Sequence, residues 1–259
     1  MGRRITAVIN QKGGVGKTTT AINLCHGLSI LGRSVLLVDL DPQAHSTVVL
    51  TSNPNQYPRT ILDVLVNRQN IQDVITKTNI DNLDLAPSNT HLDKAEQLLI
   101  PEMFREGLLS KAFSGLDYEF IIIDCRPTLG ILSVNALFAS NFVLVPCETA
   151  RFSLEGFSDL LEMIKILKKG AQEDGEFALR ILFCKYDSRK AISNEWTLRQ
   201  LEPYRALLLK TVIRQCEALN QAHMAKESIF KFKPNCHGTE DYICLAKEFI
   251  TLWSRPETD

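Results

Sequence analysis

No apolar run in this sequence approaches the roughly 18 residues that a membrane-spanning helix requires. After Met1-Gly2-Arg3-Arg4 the first apolar stretch is only Ile5 to Ile9, so neither a spanning segment nor a secretory leader is expected. A surplus of one charge is missing too. The 29 Lys and Arg residues face 30 Asp and Glu, a net charge of −1, which argues against a uniformly basic nucleic-acid binder. The seven cysteines (25, 125, 147, 184, 216, 236 and 244) are odd in number and contain no C-x-x-C pair. That excludes a small disulfide scaffold and reads as thiols buried in a reducing cytoplasm. Cys236 beside His237 is too sparse for a metal centre. No internal repeat or Pro/Gly/Ser-rich linker divides the 259 residues, so one domain over 1–259 is expected. What remains, 45% hydrophobic and 23% charged residues, is an ordinary globular composition.

Apolar, β-branched runs occur at 5–9 (ITAVI), 34–38 (SVLLV), 119–123 (EFIII), 142–145 (FVLV) and 179–183 (LRILF). Continuous apolarity over four or five residues suits strands buried on both faces, hence a parallel sheet. Helical periodicity falls between and after them, at 17–31, 92–99, 130–139, 153–169, 191–203 and 239–253. The 153–169 segment begins at Ser153, a suitable N-cap, and Lys168-Lys169-Gly170 marks its end. Tyr242, Leu245, Ala246, Phe249, Ile250 and Trp253 give the last helix a core-facing stripe. Residues 51–60 (TSNPNQYPRT) read as a surface loop. The alternation predicts an α/β fold: a doubly wound, mostly parallel sheet with helices on both faces.

Directly after the first strand stands KGGVGKTT, Lys12 to Thr19, a variant of the G-x-x-x-x-G-K-[ST] phosphate loop. Gly13, Gly14 and Gly16 let the backbone curl until successive N–H groups, with Val15 among them, converge on phosphate oxygens. The following helix offers its positive N-terminus, with Thr19 in the first turn, to the same anion. Lys17 can reach the β- and γ-phosphates, and the Thr18 hydroxyl can ligate Mg²⁺. LLVDLDP puts Asp39 and Asp41 just past the second strand, and IIIDCRP puts Asp124 past another. Carboxylates at the carboxyl ends of parallel strands face the crevice where ligands bind. Asp124 is the expected second-shell or water-mediated Mg²⁺ partner.

Together, KGGVGKTT, LLVDLDPQ and IIIDCRPTLGILSVNAL resemble the ParA/MinD (Soj-like) deviant Walker A ATPases, a SIMIBI-class branch of the P-loop NTPases. The resemblance extends through VPCE and SLEGFSDLL, over nearly the whole chain. It implies ATP and Mg²⁺ as ligands and a nucleotide-sandwich homodimer. In such a dimer Lys12 would reach the partner's phosphates, Asp41 would orient the attacking water, and Asp124 would lie in the second switch. A lysine supplied in trans makes chemical sense, because it adds positive charge to the transition state only when two copies close. The chain departs from the family pattern in two places. Arg126 replaces the first of two prolines, and Val212-Ile213-Arg214-Gln215 stands where the family has VIP-R, a segment that helps hold the base. A second arginine of that segment falls on Ala218, while Arg189 matches a position that is basic in DNA-binding relatives.

The neutral net charge conceals a gradient. Residues 180–233 hold eleven Lys or Arg and five acidic residues, a surplus of +6, which leaves −7 for the rest. A basic face of this kind touches phosphates without reading bases, and Arg189, Lys190, Lys210 and Arg214 are its candidate DNA contacts. Only nine residues precede Asn10, too few for an operator-reading helix-turn-helix. The expectation is a cytoplasmic, nucleoid-associated ATPase switch for DNA partitioning, stimulated by a ParB-like partner. A MinD-like membrane switch is the first rival, but 253–259 (WSRPETD) lacks the basic amphipathic helix it needs. An iron–sulfur reductase of the same loop class would need paired cluster cysteines, which Cys125 does not supply. A positioning ATPase for another cargo would share every one of these features.

Overall fold

The computed structural model describes residues 4–51, 57–148, 154–171 and 178–254. Seven strands form one sheet: Arg4–Val8 (β1), Val35–Leu40 (β2), Thr76–Lys77 (β3), Leu83–Ala86 (β4), Phe120–Cys125 (β5), Phe142–Glu148 (β6) and Ala178–Cys184 (β7). Their spatial order is β3-β4-β2-β5-β1-β6-β7, and every pairing is parallel except β3 with β4. The expected doubly wound sheet is therefore present.

Helices cover both faces. Lys17–Ile30 (α1), His45–Thr51 (α2), Glu217–Met224 (α9), Ile229–Phe232 (α10) and His237–Ser254 (α11) pack on one side. On the other lie Ile61–Leu65 (α3), Asp93–Leu98 (α4), Leu108–Ala112 (α5), Ile131–Ala139 (α6) and Leu154–Ala171 (α7). Strand alternation feeds both cores: Phe120 and Ile122 turn toward α1 and α11, Ile121 and Ile123 toward α6 and α7. This two-sided burial explains why the strands read as unbroken apolar runs. On α11, Tyr242, Leu245, Ala246 and Phe249 are buried, as the stripe predicts. Among the described residues no helix is long and apolar enough to cross a membrane.

Several boundaries differ from the periodicity. Helix Ala191–Gln200 (α8) stops short of 203 and is replaced by a 3-10 turn over Glu202–Leu207. Pro203 has no N–H to continue the α-helical ladder, but it is tolerated in the first turn of a new helix. Helix α7 continues through Gly170 to Ala171, and its expected cap, Ser153, lies outside the described residues, as do 52–56 of the expected loop. Strands β2 and β5 run two residues further than their apolar cores. Asp39 and Asp124 consequently lie within strands rather than past them.

Candidate active site

Strand β1 ends at Val8, and Asn10 then fixes the start of the glycine loop. Its side-chain amide donates to the Pro146 carbonyl at 2.8 Å and accepts from the Lys12 N–H at 3.0 Å. Gly14 (φ 74°) and Gly16 (φ 98°) both adopt the left-handed region, which strains any residue with a Cβ. Gly16 caps α1, and its carbonyl accepts from the Thr20 N–H at 2.8 Å, so the loop runs directly into the helix N-terminus. Lys17 is 7% exposed, and its ammonium turns back to donate to the Lys12 carbonyl at 2.9 Å. Burial lowers its pKa, and the nearby charges of Asp124, Cys125 and Asp41 oppose that shift. Lys12 itself is half-buried.

Pairing of β2 with β5 sets Asp39 beside Asp124, and β1 with β5 sets Val8 beside Asp124. The carboxylates and the phosphate loop thus meet through strand register. Asp39 does not face the crevice as expected. It is fully buried and accepts from the Thr47 N–H (2.9 Å), the Thr47 hydroxyl (2.7 Å) and the Asp41 N–H (3.1 Å). Its role is to shape the turn that presents Asp41. Asp41, half-buried, accepts from the Gln43 N–H at 2.9 Å and lines the cleft. Asp124 accepts from the Ser46 hydroxyl at 2.7 Å, and its other oxygen, Oδ1, is buried with no hydrogen-bond partner among the described residues. Burial raises the pKa of both Asp39 and Asp124, and repulsion from Asp124 adds to the rise at Asp39. The Ser46 and Thr18 hydroxyls and the Lys17 charge pull Asp124 back down.

The phosphate loop and Asp41 border a cleft of about 720 Å³ whose lining includes Gly13, Lys17, Thr18, Asp41, Arg126 and Lys185. A smaller cavity of about 240 Å³ adjoins it past Gly16 and Thr19, bounded by Cys184, Arg214, Cys216 and Tyr242. Helix α9 forms a wall of the larger cleft, where His223 meets His45 edge-on with ring centroids 5.4 Å apart. Arg126 is tied to α4 through Asp93 (3.2 Å) and Glu96 (3.4 Å). The sequence did not announce Asn10, Ser46, His45, His223 or Lys185. Lys185 and Asn10 had a usable signal, their places just after parallel strands.

The basic candidates are scattered. Arg189 makes a two-pronged contact with Asp187 (2.9 Å each), and Arg214 is held by Asp241 (2.6 Å) and Glu240 (2.9 Å) at the start of α11. Arg214 therefore ties the segment after β7 to α11 rather than standing bare. Arg199 and Arg205 pair with Glu195 and Glu202, acids already counted in the +6, whereas Arg214 with Glu240 and Asp241, and Lys185 with Glu148, draw on that surplus from outside the segment. Lys190 shares the smaller cavity with Arg214, and both Arg189 and Lys190 are exposed. Lys210 is anchored by its main-chain N–H to Glu248, two turns or roughly 10 Å along α11 from Asp241. Ala218 is buried in the core, where a longer basic side chain would have no room.

A glycine-rich loop joining β1 to α1, a buried lysine, and carboxylates from neighbouring strands of a doubly wound sheet define a P-loop nucleotide hydrolase. The AAA domain family matches residues 3–177. Sporulation initiation inhibitor protein Soj of Bacillus subtilis is 36% identical over 247 residues, covering 95% of this chain and 97% of that protein. Chromosome-partitioning ATPase Soj of Treponema pallidum is 34% identical over 252 residues, covering 96% and 98%. The structure of cobyrinic acid a,c-diamide synthase from Mycobacterium smegmatis, with bound ATP analogue and magnesium, superposes with a TM-score of 0.82. It is 31% identical and covers 97% of this chain and 96% of its own. The chain belongs to the ParA/Soj family of P-loop ATPases. The same synthase is also solved with ADP and magnesium, and septum site-determining protein MinD of Pyrococcus horikoshii, 25% identical with a TM-score of 0.77 over 98% of both chains, is solved with Mg-ADP. The residues present fit Mg²⁺: a buried carboxylate oxygen without a donor and a hydroxyl beside it are hard oxygen groups, and Mg²⁺ keeps much of its water and phosphate shell.

Proposed function

We propose that this chain is an ATP-gated dimerisation switch for DNA partitioning. Two copies close around nucleotide, the closed dimer holds nonspecific DNA, and a ParB-like partner stimulates hydrolysis. One observation carries the reading: the loop separates its two lysines. Lys17 is buried against the main chain of its own loop and lines the cleft, whereas Lys12 is half-buried.

In this reading Lys17 and the N–H groups of Gly13 to Thr19 bind the phosphates of the chain's own nucleotide. Thr18, with Asp124 and Asp41 behind it, would hold Mg²⁺, which neutralises charge on the β- and γ-phosphates. Asp41, just past β2 and oriented by Asp39, positions the attacking water. Lys12 completes the charge balance of the transition state on the partner's phosphates, so hydrolysis is slow in the monomer. Arg189 and Lys190 are exposed and suited to phosphate contact, and pairing two copies doubles that surface and gates DNA affinity through ATP. The single-domain organisation and a cytoplasmic, nucleoid-associated location follow from the same reading, as does the absence of a membrane partner.

The test is DNA binding with ATP, ADP and no nucleotide across a salt series. Binding confined to the ATP state and lost as salt rises supports the proposal. Nucleotide-independent or absent binding overturns it in favour of a different cargo. Lys12→Ala should retain nucleotide binding and lose stimulated hydrolysis, and full turnover in that variant would remove the trans role.

A further inference from the structure

Lys185 follows β7 directly and takes a left-handed backbone conformation (φ 53°). Flanking main-chain bonds enforce it: Tyr186 N–H to Ile213 at 2.9 Å and Gln215 N–H to Tyr186 at 2.8 Å. Strain that the surroundings over-determine in this way concentrates at functional sites. Here it aims the side chain across the sheet edge. The ammonium donates to the Gly14 carbonyl of the phosphate loop at 2.7 Å and lies 3.4 Å from Glu148 Oε2. Lys185 also borders both the larger cleft and the smaller cavity.

The Gly14–Val15 peptide turns about the bonds at Gly14 and Val15, and Gly14, at positive φ (74°), stands at one end of it. Glycine offers little resistance to rotation, so a peptide flanked this way needs an outside anchor. In a planar trans peptide the C=O and the next N–H point in opposite directions. Holding the Gly14 carbonyl toward Lys185 therefore holds the Val15 N–H to the opposite side.

We propose that Lys185 is a positioning residue of the ATPase, its ammonium locking the Gly14–Val15 peptide so that the Val15 N–H stays turned toward bound phosphate. It acts through the loop and does not touch the reacting atoms. The proposal rests on the reading that Gly13 to Thr19 hold the nucleotide phosphates. Since the phosphate is held alike in ground and transition states, losing the lock should raise KM and leave kcat nearly unchanged.

The experiment measures Mg-ADP and Mg-ATP-analogue affinity by calorimetry, steady-state ATPase, and Tm, for wild type, Lys185→Met, Lys185→Arg and Lys185→Gly. Lys185→Met should weaken both nucleotides about tenfold and raise KM alike, while Lys185→Arg stays within about twofold. Lys185→Gly relieves the positive φ, so its Tm should hold or rise while affinity falls as in Lys185→Met. A purely structural residue would lower both together, and that outcome overturns the proposal. So does Lys185→Met binding as wild type does. A wild type that binds neither nucleotide would instead overturn the loop reading on which the proposal stands.

Discussion

Acidification should destabilise this protein through His26, a residue far from the chemistry. His26 lies in α1 and is 7% exposed, with Nδ1 2.6 Å from the Ser228 hydroxyl and its ring 4.9 Å from that of Phe230. Burial first, and the charge of Lys231 second, push its pKa from 6.5 down to about 4. The folded state therefore resists the imidazolium, while the unfolded chain accepts a proton as pH falls through 6.5. Stability from the neutral ring is complete above the unfolded pKa and is lost toward the folded one, because the unfolded state binds more protons in that window. Between about pH 7.5 and about pH 5 the linkage amounts to about 2 kcal/mol. Asp39 and Asp124, raised by burial, act with the opposite sign, since their folded forms hold protons more tightly. The assay must therefore be a difference. Urea unfolding at the two pH values, for wild type and His26→Asn, should show that the variant loses about 2 kcal/mol less on acidification. An equal loss in both proteins would refute the reasoning.

Three further outcomes are expected. Phe249 is fully buried between Phe120 and Phe142 (centroids 6.2 and 4.9 Å), so Phe249→Ala should lower unfolding free energy by about 3–5 kcal/mol in a urea titration. Ser46→Ala removes a bond that lowers the Asp124 pKa, so the acid limb of the ATPase pH–rate profile should move to higher pH. An unmoved limb would detach Asp124 from the rate. A double-mutant cycle between Arg126 and Glu96 should show a coupling of about 0.5–1 kcal/mol, and zero coupling would mean that this contact does not hold the loop after β5 to α4.

The glycine loop was legible because its chemistry is local: eight consecutive residues between an apolar run and a helical period. The long parallel strands were legible for a related reason, since two-sided burial leaves a continuous apolar signature. The short elements were not. Strand β4 (LDLA) carries Asp84 in its centre, where Lys77 and Tyr118 satisfy it at 2.8 and 2.6 Å, and β3 has only two residues. Helices α2, α3, α5, α9 and α10 span four to eight residues each, too few turns for a period to emerge.

Asp39 and Asp41 show where local reading ends. Both belong to one strand-end motif and looked equivalent, but Thr47 closes over Asp39 and leaves Asp41 at the cleft. Arg214 is a second case. Its partners, Glu240 and Asp241, are both supplied by α11 and lie 26 and 27 positions further along the chain. Nothing in the residues around Arg214 marks it as already paired.

By itself, the sequence determined the class of fold, the phosphate loop, and the strands that carry it, because each is written in neighbouring residues and their periodicity. Only the tertiary structure decided which carboxylate meets the cleft, which arginines are already paired, and that Lys185 reaches the loop. Those outcomes depend on strand register and on contacts between segments far apart in the chain, such as Gly14 with Lys185. No local pattern records them.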